Sequence, residues 1–284
     1  MGCLWSRNKW EQEERLVLDS ENCLKLNKKH CKKIVSVFHR MTKLFHLNLT
    51  QFESALRELK IETDEETMKF FELFKEDPND SYFFNNLEVK PNLKGEEYLY
   101  SVKKLSVLAI FFGKGNTEEK INALFNIYDI DLSKRLSLTE LGVMLKDIGE
   151  ISLHHLPRLA TVKYPNKMSE IMKYSKCLSK MEEGLIEYFK YLICGFRVRE
   201  ITLHEFVEAF EQDELQIILN AAEIRNFAIR AYEDALIQKI ERKKETNLDS
   251  DDIQEITLER RHTTWNKRKI RKKFNKKKTA DVQV

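Results

Sequence analysis

The chain has 284 residues, 33% of them charged, yet Lys+Arg 49 and Asp+Glu 46 nearly cancel to a net charge of +3. Only 8 Gly and 4 Pro punctuate it, too few for a strand-rich fold built on tight turns. With 17 Phe among the charges, the composition excludes a disordered chain and describes amphipathic helices around a sizeable core.

The N-terminus reads Met1-Gly2-Cys3-Leu4-Trp5-Ser6, which fits N-myristoylation: Met is removed and Gly2 takes the acyl chain. Cys3 beside it is the expected palmitoylation site. One myristoyl chain binds a membrane only marginally, so a second chain or a basic patch is needed for stable attachment. No signal peptide is expected, because Arg7-Asn8-Lys9-Trp10-Glu11 follows. The longest apolar run, Val107–Phe112, is well short of the ~20 residues a membrane helix needs. Cys3, Cys23, Cys31, Cys177 and Cys194 are odd in number and lack CxxC spacing, so they read as reduced cytosolic thiols.

A six-residue pattern then recurs as Leu47-Asn48-Leu49-Thr50-Gln51-Phe52, Leu136-Ser137-Leu138-Thr139-Glu140-Leu141 and Ile201-Thr202-Leu203-His204-Glu205-Phe206, with a weaker copy at Tyr100-Ser101-Val102-Lys103-Lys104-Leu105. Each copy starts on a large apolar residue and runs into an amphipathic stripe. The spacing between Tyr100 and Leu136 suits adjacent helix–loop–helix units. The longer spacings imply insertions, placed within Asp77–Lys94 and Leu156–Lys180.

Before the third copy lies a readable loop, Asp129-Ile130-Asp131-Leu132-Ser133-Lys134-Arg135-Leu136-Ser137-Leu138-Thr139-Glu140. Asp129, Asp131, Ser133, Ser137 and Glu140 put oxygen side chains at positions 1, 3, 5, 9 and 12 of a twelve-residue EF-hand loop, and Arg135 offers its carbonyl at position 7. A hard dication needs six to eight oxygens, so Ca²⁺ is the expected ligand. Leu136 is expected to pair with the partner loop. Lys134 stands at position 6, where Gly normally permits a left-handed turn; with Arg135 it also returns two positive charges. The expected affinity is therefore weak, about 10⁻⁵ M or poorer. The other three loops read as empty. Arg40, Thr42 and Leu44 take early positions of the first, with Gln51 last. Lys104 ends the second. Cys194, Phe196 and Val198 replace ligands in the fourth, although Glu205 survives.

Phe111-Phe112-Gly113-Lys114-Gly115-Asn116-Thr117-Glu118-Glu119-Lys120 and the following Phe125-Asn126-Ile127-Tyr128-Asp129-Ile130-Asp131 resemble the linker and third hand of calcineurin B-like and neuronal-calcium-sensor proteins. The resemblance spans roughly Lys29–Glu211 and is specific around Phe112–Gly149. It implies four EF-hands in two lobes, an acylated N-terminus, and a hydrophobic groove that grips a helix of a target protein.

The expected fold is thus all-α. An acylated segment (1–28) precedes a degenerate EF-hand lobe (29–115) and a lobe with one liganded loop (116–213). A C-terminal helix (214–246) and an acidic hinge with a basic tail (247–284) follow. Leu203–Lys244 lacks Gly and Pro and reads as one long helix or two, with Ile217, Ala221, Ile224, Ala228, Ala231 and Ala235 as a seam. This segment is expected to lie in the protein's own groove, yielding to a target. In the tail, Lys267, Arg268, Lys269, Arg271, Lys272, Lys273, Lys276, Lys277 and Lys278 suit an anionic membrane surface, which supplies the second signal that myristate needs. A nucleic-acid role conflicts with an acylated N-terminus and is disfavoured. His39, His46, His154, His155 and His204 form no metal or nucleophile pattern, and no phosphate loop or GxSxG turn occurs, so no enzyme is expected. The expectation is a calcium sensor or adaptor on the cytoplasmic face of a membrane. The alternative is a calcium-independent structural subunit of a membrane or cytoskeletal assembly, cytosolic or cytoskeletal if not acylated.

Overall fold

A computed structural model describes residues 10–42, 45–76, 99–195 and 200–245, with side chains to residue 238. The described chain is mostly helical, as its amphipathic composition demands. Among the described residues no helix is long and apolar enough to cross a membrane.

Helix α1 (Glu11–Glu21) comes first. Four units follow in which a helix leads through one or two short strands into a second helix. The first is α2 (Cys31–Met41), β1 (His46–Leu47) and α3 (Leu49–Leu59). The second is α4 (Glu65–Phe71) with a 3₁₀ turn, then β2 (Lys75–Glu76), β3 (Leu99–Ser101) and α5 (Val102–Phe112). The third is α6 (Thr117–Tyr128), β4 (Arg135–Leu136) and α7 (Leu138–Glu150). The fourth is α10 (Glu182–Cys194), β5 (Ile201–Thr202) and α11 (Leu203–Ala209). Every copy of the six-residue repeat overlaps the junction from strand to helix. The strands pair between units: Leu47 opposes Tyr100 in the first two, and Leu136 opposes Ile201 in the last two, as expected for Leu136. β3 also takes β2 on its other edge, Glu76 opposite Leu99.

Between the third and fourth units, where an insertion was expected, the chain is ordered and buried. Helix α7 runs without a break through a π-helical turn (Ile151–His155) into α8 (Leu156–Lys163), and α9 (Met168–Ser179) returns. Leu153, Leu156, Ala160, Ile171 and Leu178 are all buried, so this helical pair belongs to the core. α8 packs on α1 and α4. The N-terminal helix is thereby held against the second unit through the inserted pair.

The linker is fixed as well. Cys31 N–H donates to the Lys114 carbonyl at 2.8 Å and Lys114 N–H donates to Lys29 O at 2.8 Å. A Cβ at Gly113 would stand 2.8 Å from Cys31 Cα, so only glycine lets the linker press this closely. One contiguous core results, running from Val17 to Ala231.

The C-terminal segment differs from one or two long helices. It divides into α12 (Asp213–Gln216), a 3₁₀ turn (Ile217–Leu219) and α13 (Ala221–Glu245). The break is made by Asn220, extended at φ −139°, whose Oδ1 accepts from Ala222 N–H at 3.0 Å and so caps α13. Leu215 and Ile218 are buried against α10 and α6, the entry helices of the fourth and third units. Ala221, Ile224, Ala228 and Ala231 of the expected seam are buried, and α13 lies on the π turn and α9.

Candidate metal-binding loop

Residues 129–140 span the turn from α6 into the first residues of α7, and their backbone is set by two left-handed residues, Leu132 at φ 56° and Lys134 at φ 60°. Asp129 is buried and organises the turn: its Oδ2 accepts from Lys134 N–H at 3.0 Å, and its Oδ1 accepts from Ser133 Oγ at 3.4 Å. Ser133 Oγ also reaches the Arg135 carbonyl at 3.1 Å, while Asp131 Oδ1 accepts from Ser133 N–H at 3.0 Å. The oxygens of Asp129, Asp131, Ser133 and the Arg135 carbonyl thus gather in the first half of the loop. Hydrogen bonding from Ser133 keeps the Asp131 carboxyl below its usual range.

Glu140 is elsewhere. Its Oε2 accepts from Ser137 N–H and Ser137 Oγ, both at 2.8 Å, and Ser137 Oγ in turn accepts from Glu140 N–H at 3.2 Å. This is a capping box, which satisfies two otherwise orphaned donors at the start of α7. Among the described residues no three His, Cys, Asp or Glu side chains converge as a metal-holding group. The donor set is all oxygen, the chemistry that suits a hard dication. For Glu140 to join a shell with those oxygens, its carboxylate would have to leave Ser137.

In the other units the residue matching Glu140 is spent internally. Gln51 forms a capping box with Asn48 and donates from Nε2 to the Met41 carbonyl at 3.1 Å, tying its loop shut. Glu205 forms one with Thr202. Arg40 pairs with Glu58, away from any early ligand position. Cys194 ends α10 and Gly195 turns at φ 61°.

Lys104 is the exception. Its Nζ, with a side chain only 10% exposed, lies 2.8 Å from Glu76 Oε1 on β2 and 2.8 Å from Glu150 Oε2 at the end of α7. His46 stands 3.6 Å from Glu76, and His155 stands 3.2 Å from Glu150. Burial alone would raise both carboxyls, but His46 with Lys104, and His155 with Lys104, outweigh it and hold each down to about 2. Nearby, the Tyr128 hydroxyl donates to Asp147 Oδ2 at 2.6 Å. Burial pushes Asp147 up to about 6 against the pull of Lys104 and Tyr128. Burial also drives Lys103 down to about 7, against attraction from Asp147, Glu76 and Glu140. Tyr128 directly precedes the loop and Asp147 lies on its exit helix. A buried polar cluster therefore joins the loop's helices to the second unit.

A second buried node ties α1 to α13. Arg225, 0% exposed, sends Nε to Glu14 Oε2 at 2.8 Å and Nη2 to Glu14 Oε1 at 2.9 Å and Glu21 Oε1 at 2.8 Å. The Tyr174 hydroxyl donates to Glu14 Oε2 at 2.5 Å. Neither the Lys104 cluster nor this node was anticipated from the sequence. In sequence Lys104 only ends a loop that reads as empty, and Arg225 stands within an apolar seam. Glu14 and Glu21, seven apart on one face with buried Val17 between them, were the available signal.

No protein-family profile, curated protein or solved structure matches the chain. Gly2, Cys3, the insertion within Asp77–Lys94, Phe196, Val198 and the basic tail Lys267–Lys278 lie outside the described residues.

Proposed function

We propose that this chain is a non-catalytic EF-hand calcium sensor or adaptor, with four helix–loop–helix units in two pairs and one calcium-binding loop. The observation that carries the reading is the turn at 129–140. Asp129 accepts from the Lys134 amide across a left-handed residue, between two helices, and the strand Arg135–Leu136 pairs with the equivalent strand of the next unit. Asp129, Asp131, Ser133, the Arg135 carbonyl, Ser137 and Glu140 would hold the ion, which supplies a compact double positive charge to the loop. Moving the Glu140 carboxylate off Ser137 would pull on the first turn of α7. That change of helix posture is how the chain would respond to a signal.

The partner would be a helix of a target protein, taken into the apolar surface between the third and fourth units that Leu215 and Ile218 now fill. Acylation at Gly2, with Cys3 or the basic tail as the second signal, would hold the protein to the cytoplasmic face of a membrane.

A calcium-independent structural subunit is the second reading. It is favoured by the internal closures at Gln51 and Lys104, which leave two units complete without metal. Calorimetric titration of the purified chain with calcium, repeated on Glu140→Gln, separates the two. The sensor requires saturable binding of one ion that the substitution weakens at least tenfold. Absence of heat and of any spectral change in the unaltered protein leaves the structural subunit.

A further inference from the structure

In the six-residue repeat, Lys104 occupies the place that Glu140 holds in the third unit and Glu205 in the fourth. The closing position of the second unit therefore carries a cation instead of an anion. The geometry around it is that of a coordinated charge: two carboxylates at 2.8 Å, one from the unit's own strand β2 and one from α7. Lys104 lies almost wholly out of water, where an ammonium is stable only if paired. Ser101, which stands where Ser137 caps the third unit, makes no side-chain cap.

Glu150 makes this more than a local substitution. It sits on the exit helix of the candidate calcium loop, ten residues beyond Glu140, or about 15 Å along the axis at the standard helical rise. A swing of α7 by about 10° about its first turn would carry Glu150 through about 2.6 Å over that length, enough to break a 2.8 Å ion pair. Beyond Glu150 the helix passes into the π turn, whose irregular bonding is a natural place for such a swing to be absorbed.

We propose that Lys104 is the built-in cation of the second unit and that its ion pair with Glu150 is a latch, holding α7 in the posture in which Glu140 caps its own helix. The inference rests on the calcium reading of residues 129–140. The second unit holds Glu150 through Lys104, Glu140 stays on Ser137, and calcium must work against both. Glu76 keeps Lys104 in place when Glu150 departs, so the ammonium never loses both partners. By linkage, whatever weakens the latch tightens calcium binding.

The test compares Glu150→Gln with Glu76→Gln in the full chain, each checked for fold by circular dichroism. Calorimetry with calcium chloride reads affinity, and amide hydrogen exchange without calcium reads the freedom of α7. The latch requires Glu150→Gln to bind calcium about tenfold tighter and to exchange faster along Leu138–Glu150. Glu76→Gln, which removes a carboxylate from the same ammonium but on β2 and not on α7, must not tighten binding. Unchanged affinity in a folded Glu150→Gln overturns the latch, and so does equal tightening in both variants, which would be general loosening. Failure of the unaltered chain to bind calcium overturns the calcium reading, and the latch with it. Binding by the unaltered chain with no gain in Glu150→Gln overturns the latch alone.

Discussion

Arg225 and Glu14, 211 residues apart in sequence, meet in a buried two-pronged ion pair. Glu21 shares the same guanidinium, and burial lifts the Glu21 carboxyl above its usual range although Arg225 pulls it down. The pair makes α1 part of the body, since α1, α9, the π turn and α13 all contribute to one node. Such buried charges contribute little net stability when intact and cost heavily when half removed.

Arg225→Met should therefore destabilise the chain by about 3–5 kcal/mol, because it strands two buried carboxylates. Replacing Arg225, Glu14 and Glu21 together with apolar residues of similar size should recover most of that loss. Urea unfolding followed by circular dichroism checks both. A single substitution costing as little as a surface change would mean that the node does not hold α1 to α13.

Lys134 separates strain from charge. A side chain held at φ 60° costs about 1 kcal/mol relative to glycine, and the same left-handed turn is present before any ion arrives. Lys134→Gly should thus stabilise the calcium-free chain by about 1 kcal/mol, whereas Lys134→Gln should not. Both remove a positive charge from the loop and should tighten calcium binding to a similar degree, several-fold. Thermal unfolding and calorimetry on the two variants report the two quantities independently.

Much of this architecture was readable because the repeat carries a local physical meaning twice over. Asn48 with Gln51, Ser137 with Glu140 and Thr202 with Glu205 are capping boxes, so the spacing that suggests positions 9 and 12 of a metal loop also starts a helix. The helical class, the helix starts at the repeat and the pairing of Leu136 followed from that pattern. What sequence could not give were contacts between distant segments. Nothing near Lys104 in sequence announces Glu150, and nothing near Arg225 announces Glu14. The expected insertion at Leu156–Lys180 was legible as extra length, but its burial against α1 and α4 was not, since periodicity shows that a helix has an apolar face without showing what covers it.

Membrane attachment is predicted to need two signals. Protein made with an N-myristoyltransferase should carry the acyl mass on Gly2 and sediment with vesicles containing phosphatidylserine. Gly2→Ala should lose most of that binding. Replacing the nine basic residues of Lys267–Lys278 with Gln should weaken binding to anionic vesicles and leave weak, salt-insensitive attachment through the acyl chain, because each basic residue near an anionic surface contributes about 1 kcal/mol. Binding to neutral vesicles that equals binding to anionic ones would remove the tail from the account.

Lys103 offers a test by pH. Its ammonium lies under the surface, 5.5 Å from the centre of the Phe45 ring, and burial holds its pKa down to about 7 from an ordinary value of 10.5. The folded chain therefore prefers the neutral amine while the unfolded chain keeps the charge. Below about pH 7 both forms are protonated and the buried charge exacts its full penalty; as pH rises toward 10.5 the penalty fades. Lys103→Met removes the charge while keeping a similar shape. It should raise stability by about 2–4 kcal/mol at pH 6–7, each pKa unit being worth about 1.4 kcal/mol, and its advantage should shrink steadily between pH 7 and 10. An advantage that stays constant across that range would mean the gain comes from packing against Phe45 and not from relief of a buried ammonium.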